Sequence, residues 1–189
     1  TFTNELGYED LAKMLQTEGA KASSVKVTIP EQANIDDIMT LLEKNGVCTK
    51  SDFRNAVRNG KYDFDFIEEI PTHEVYYKFE GYLFPDTYEF YNYDSKECAE
   101  LAIRKMLQNT ADKLTDDVRA KIKQSGYSIH DVLTMASIIE LEASAKHDEM
   151  AKVSAVFYNR LNWDEPKFLG SSPTMDYPYG NGRYDTNTH

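Results

Sequence analysis

"SVKVTIPEQANIDDIMTLLEKNG" occupies residues 24–46, and its two halves carry different periodicities. Val25, Val27 and Ile29 alternate with polar residues, the repeat of a strand with one buried face, and Pro30 closes it. Asn34 then has the short polar side chain that caps a helix. Ile35, Ile38, Leu41 and Leu42 recur at helical spacing through about Lys44, and Gly46 follows as a stop. Ser51 opens a shorter helix ending near Gly60, and "EVYYKFEG" (74–81) offers a later strand. The stretch therefore predicts a small α+β module.

Outward from it, the pattern becomes helix-rich. Residues 8–18 place Leu11, Met14 and Leu15 on one helical face before Gly19. "KYDFDFIEEIPTHE" (61–74) mixes acids, aromatics and Pro71 and reads as a linker or loop. "GYLFPDTYEFY" (81–91) reads as two aromatic half-strands about a Pro85-Asp86 turn. Helices follow over about 95–110, with Cys98, Leu101, Ala102 and Met106 inward, and over 115–124 before Gly126. Ser128 and Asp131 stand in capping-box spacing at the head of the next helix. The helix over 148–162 buries Met150, Val153, Phe157 and Leu161, and the remainder, rich in Pro, Gly, Ser and Asn, reads as ordered loop.

Composition narrows the function classes. The 189 residues carry a net charge of −11, with 41% hydrophobic and 28% charged residues. Such acidity disfavours a nucleic-acid backbone or a basic membrane-surface patch. No apolar run is long enough to cross a bilayer and none resembles a signal peptide. The chain starts at Thr1 and ends on "YDTNTH", so we expect a piece of a longer protein. Cys48 and Cys98 form either a disulfide or two buried free thiols, and the four histidines (73, 130, 147, 189) show no metal-ligand spacing. Thirteen tyrosines stand against one tryptophan, six of them at 76, 77, 82, 88, 91 and 93. That cluster suits either the apolar and hydroxylated faces of a sugar or a half-buried aromatic sheet.

"TMASIIELEAS" (134–144) carries the chemistry. Glu140 sits in an apolar run, where an unpaired carboxylate is costly. At about 100° per residue it shares a face with Leu133, Ala136, Ser137, Ala143, Ser144 and His147, while Val132, Met135, Ile138 and Ile139 turn toward the core. Small neighbours leave a groove, and weak hydration raises a carboxyl's pKa toward that of a general acid. Pairing with a Lys or Arg, or plain exposure, is the other reading. Glu142 points about 200° away, so this helix supplies one carboxylate to the site where ordinary glycosidases use two.

Several segments together resemble the YceG-like endolytic murein transglycosylases. "VTIPEQANIDDIMTLLEKNGV" (27–47) is similar to their LysM-like subdomain, and "EGYLFPDTYEF" (80–90) to their aromatic signature. "MASIIELEA" (135–143) resembles their catalytic helix, "VFYNRL" (156–161) the helix after it, and "SSPTMDYPYG" (171–180) and "YDT" (184–186) their late loops. The resemblance implies an N-terminal helical segment (1–22), a LysM-like module (23–70) and a mixed, helix-rich catalytic domain (71–189).

It also implies a reaction. Glu140 is the acid and base for non-hydrolytic cleavage of the β-1,4 bond between N-acetylmuramic acid and N-acetylglucosamine, closing a 1,6-anhydro ring. No cofactor is implied. The implied partners are the peptidoglycan glycan strand and cell-wall synthesis proteins, outside the cytoplasm, with the chain tied to the membrane by a helix beyond this sequence. Glu80, Tyr82 and Tyr88 either line the glycan groove or brace a tight aromatic turn. Ser137 bonds Glu140 or the substrate, or serves helix packing; Asn159 and Arg160 orient Glu140 or bind the acetamido group and peptide stem, or bridge elements. Glu80 or Asp86 are candidates for a second acid. Gly170, Ser172 and Asn187 depart from the family's pattern and put contacts to the sugars in question. A non-catalytic peptidoglycan-binding scaffold and a two-carboxylate glycoside hydrolase remain the alternatives.

Overall fold

A computed structural model describes residues 24–72, 75–92, 94–143, 146–164 and 168–177. The helix expected at 8–18, Ser144, the "YDT" segment and Asn187 lie outside the described residues. Strand β1 (Ser24–Thr28) is followed by helices α1 (Ile35–Lys44) and α2 (Lys50–Asn59), then a 3-10 turn over Asp65–Glu69. Strand β2 (Thr87–Tyr91) precedes α3 (Ser95–Lys113), α4 (Asp116–Ser125), α5 (Ile129–Ala143), α6 (Met150–Leu161) and the short α7 (Ser172–Asp176). The architecture is α+β, helix-rich with a two-stranded sheet.

The opening stretch folds as its periodicity predicts. Asn34 accepts from the Asp37 N–H at 2.8 Å while the Asp37 carboxylate receives the Asn34 N–H, a reciprocal cap. Ile35, Ile38, Met39 and Leu42 are buried. β1 pairs antiparallel with β2, Val27 opposite Tyr88. The strand expected at 74–81 does not form: residues 76–82 are bends and turns, and only Thr87–Tyr91 of the aromatic segment is a strand. Hydrogen bonds from the Glu80 N–H to the Tyr77 carbonyl and from the Tyr82 N–H to the Phe79 carbonyl coil the chain there. The second short helix starts one residue early, capped by Thr49 instead of opened by Ser51.

Residues 61–74 are not a slack linker. Phe66 and Ile70 are buried in the core, and Arg119 of α4 grips Asp65 with two N–H donors at 2.7 and 3.0 Å. One cluster of buried residues runs from Val27 through Phe53, Phe66, Tyr82 and Met106 to Ile129. Cys48 and Cys98 are free and buried in it, and burial pushes the Cys48 thiol up to about 12. Among the described residues no helix is long and apolar enough to cross a membrane.

Candidate active site

Helix α5 carries Glu140, and three contacts fix its place. At its head the Ile129 N–H donates to Glu69 of the 3-10 turn at 2.6 Å, while Ser128 and Asp131 complete the expected capping box. His130 is bonded through Nδ1 to the Tyr82 hydroxyl at 2.9 Å, its ring stacked on Tyr82. Near the other end, the Ser171 hydroxyl donates to Glu142 at 2.7 Å and draws the segment leading into α7 against α5. The two glutamates of this helix thus divide: Glu142 tethers α7, and Glu140 stays available. Met135 is buried as expected, but Leu133 also packs against the core although it shares Glu140's face.

Glu140 is partly buried. Loss of hydration holds its carboxyl above the ordinary range, the Glu31 carboxylate pushes the same way, and His147 opposes. A carboxyl so placed keeps its proton to higher pH than a free one, the property a general acid needs.

Glu80 is a second candidate whose carboxyl is raised. Its Oε1 accepts the Ile35 N–H at 3.2 Å, at the first turn of α1. Burial pushes the Glu80 carboxyl up to about 7, helped by Asp36 and Asp37 and opposed by its backbone hydrogen bonds. Its charge in turn reaches Tyr177, whose hydroxyl is raised mainly by burial. The Ile35 N–H ties Glu80 to the head of α1, and the Ser171 hydroxyl ties the segment leading into α7 to Glu142 of α5. Glu31 and Tyr177 escaped the sequence reading because neither lies in a periodic element or near Glu140 in sequence.

The other sequence candidates are spread. Tyr82 is 1% exposed, sandwiched between Phe66 and His130, and Tyr88 is 4% exposed with its hydroxyl donated to the Phe84 carbonyl at 2.6 Å. Both rings are buried in the core, Tyr88 stacked on Phe90, and present little surface to a sugar. Asp86 is exposed, and the Thr87 N–H and Asn109 that bond it hold its carboxyl below the usual value. Ser137 donates back to the Thr134 carbonyl at 2.8 Å and not to Glu140. Arg160 reaches the Leu169 carbonyl and lies over the Phe157 ring, bridging α6 and the loop before α7. Asn159 is exposed. Among the described residues no group of three or more His, Cys, Asp or Glu could hold a metal ion.

A model of the YceG-like family matches residues 1–189. The chain belongs to that family. It is 33% identical over 184 residues to an endolytic murein transglycosylase of Bacillus subtilis, covering 90% of this chain and 49% of that protein. It is 32% identical over 190 residues to one of Streptococcus pneumoniae, covering 91% and 33%. The chain thus spans half or less of the curated relatives it matches. The crystal structure of a yceG-like protein from Listeria monocytogenes superposes with a TM-score of 0.64 at 26% identity, over 96% of this chain and 60% of that one.

Proposed function

We propose that the chain forms part of an endolytic murein transglycosylase whose acid and base is Glu140. The observation that carries this is the state of that side chain: a partly buried carboxyl, biased toward its protonated form, on a helix braced at both ends in a family whose curated relatives bear that name. Protonated Glu140 gives its proton to the glycosidic oxygen between N-acetylmuramic acid and N-acetylglucosamine as the bond breaks. The resulting carboxylate takes the proton of the muramic acid C6 hydroxyl, whose oxygen closes on the anomeric carbon to give the 1,6-anhydro end. The nucleophile comes from the sugar, so one carboxyl that first gives and then takes a proton suffices.

Glu80, Asn159 and Tyr177 are the residues we place against the glycan or its peptide stem. Tyr82, Tyr88, Ser137 and Arg160 act in this reading by holding the site's walls. Peptidoglycan is the substrate, the action is extracytoplasmic, residues 23–70 contribute a LysM-like grip on the strand, and a membrane anchor and cell-wall synthesis partners complete the assembly.

Digestion of purified glycan strands, read by mass spectrometry, tests this. Anhydro-muramic ends are expected, and Glu140→Gln is expected to cut their formation by roughly 10²–10⁴-fold. Reducing ends would instead indicate a hydrolase, and intact but bound strands a scaffold.

A further inference from the structure

The edge of β2 that does not pair with β1 faces α3 across an open trough of about 580 Å³. The register fixes what this edge presents. The Ile29 N–H donates to the Asp86 carbonyl at 2.9 Å, and the pairing alternates from there. Tyr88 and Phe90 therefore bond β1, while Thr87, Glu89 and Tyr91 turn their N–H and C=O groups away from it. The Thr87 N–H is already taken by Asp86 Oδ1 at 2.7 Å, and the Glu89 carbonyl receives Lys105 Nζ of α3 at 2.7 Å. The run from Glu89 to Tyr91 is thus the part of the edge that an extended chain can join, over about three residues. The buried Phe90 and Cys98 line the trough, and so do Tyr91 and Leu101, which are 53% and 47% exposed and leave apolar surface in water.

Arg104 and Lys105 stand on the α3 wall of the trough. Arg104 reaches the Lys61 carbonyl at 3.4 Å and lies over the Tyr62 ring, and among the described residues neither cation forms an ion pair with a carboxylate. The acids of the trough are engaged: Glu89 accepts the Ser24 hydroxyl at 2.6 Å, and Asp112 accepts Gln108 Nε2 at 2.8 Å. Two cations without carboxylates, in a chain of net charge −11, make this trough a place for an anion. We propose that it binds the peptide stem of the substrate: the stem adds to Glu89–Tyr91 as a short third strand, its apolar side chains against Leu101 and Tyr91 and its carboxylates on Arg104 and Lys105. The proposal rests on the reading of peptidoglycan as substrate. A peptide N–H replaces Lys105 at the Glu89 carbonyl, and the ammonium turns to a stem carboxylate, a move its flexible stem permits. The closed Thr87 end and the short open run fit a stem of a few residues; a strand of another domain or of a second copy would need the whole edge.

The test titrates wild type, Lys105→Ala, Lys105→Arg, Leu101→Asp and Glu140→Gln with the sugar-free stem peptide L-Ala-γ-D-Glu-L-Lys-D-Ala-D-Ala, and separately with peptide-free glycan strands, reading affinity and amide NMR shifts. Leu101 and Lys105 are both exposed, so these variants should fold. The peptide should shift the Glu89 and Tyr91 amides and should bind Lys105→Ala and Leu101→Asp about tenfold more weakly. Lys105→Arg and Glu140→Gln should bind it as wild type does, and added salt should weaken it. No peptide binding, shifts confined to other residues, or equal affinity of all variants overturns the inference. So do peptide-free strands that shift the same two amides, which mark a sugar groove, and self-association that Leu101→Asp abolishes, which gives the edge to a second copy. Cleavage of stem-bearing strands separates the two layers. If anhydro ends form while the peptide leaves the trough untouched, only the role of the trough falls; if stem-bearing strands are neither bound nor cleaved, the peptidoglycan reading falls with it.

Discussion

At Glu140 and Glu80 the same force, loss of water around a carboxyl, has different consequences. Glu140 is partly buried, and its carboxyl is held above the usual value. Glu80 is more deeply enclosed, with Asp36 and Asp37 adding like charge, and its carboxyl titrates near about 7. A carboxyl whose pKa is raised on folding binds more protons folded than unfolded between the two values, so stability falls as pH climbs through that window. The protein should therefore be most stable, as far as Glu80 is concerned, below the ordinary carboxyl range, and lose on the order of 3 kcal/mol from this group by neutral pH. Urea denaturation at several pH values checks this: Glu80→Gln should flatten the decline between about pH 4.5 and 7, and an unchanged slope would show that Glu80 is hydrated. Glu140 and Glu80 were legible from the sequence as candidates; the raised state of Glu80 was not, because it depends on burial by the folded chain and on the charges of Asp36 and Asp37, far earlier in the sequence.

Among elements, α5 and α7 form the working unit. α7 is only five residues long and cannot hold itself together by its own hydrogen bonds. Its place depends on the buried Ser171, whose hydroxyl bonds Glu142 and whose carbonyl receives the Thr174 hydroxyl at 2.7 Å. Arg160 adds a second tie at the Leu169 carbonyl. Ser171→Ala removes one bond to a carboxylate that water can still reach, so global stability should fall by only about 1 kcal/mol. Local opening should rise more: amide hydrogen exchange over 168–177 should quicken several-fold while that of α3 barely changes. Equal quickening of both would show that α7 opens only with the whole fold. The sequence marked α5 by its cap and periodicity. It placed Glu142 merely away from Glu140, and the tether to Ser171 appears only once the late loop folds back.

At the scale of the molecule, the aromatic residues build the frame on which the site rests. Phe66 stacks on Phe64 and on Tyr82, and Tyr82 stacks on His130 of α5, a chain of rings from the 3-10 turn to the helix that bears Glu140. Phe66 is 0% exposed, so Phe66→Ala should cost about 3–5 kcal/mol, measured by urea unfolding, with the cavity term included. Activity should suffer even in the folded fraction, because α5 loses its footing; a stable variant with unaltered turnover would show that the rings do not hold the helix. The sequence left Phe64 and Phe66 in a linker or loop and Tyr82 open between a sugar-binding face and a packed aromatic turn, because composition cannot tell a ring that meets ligand from one that meets another ring. Burial decides that, and burial is a property of the fold.

What the residues determined alone were the features with short-range causes. The strand of alternating valines, the Asn34, Asp94 and Ser128 caps, the stop at Gly126 and the amphipathic helices each follow from hydrogen bonds and periodicity within a few positions. The tertiary structure decided the rest: that 76–82 coils instead of extending, that Tyr82 and Tyr88 face inward, and that Ser171 of the late segment comes back to bond Glu142. Those outcomes are set by contacts between segments far apart in the chain, whose free energies exist only after the chain has closed on itself.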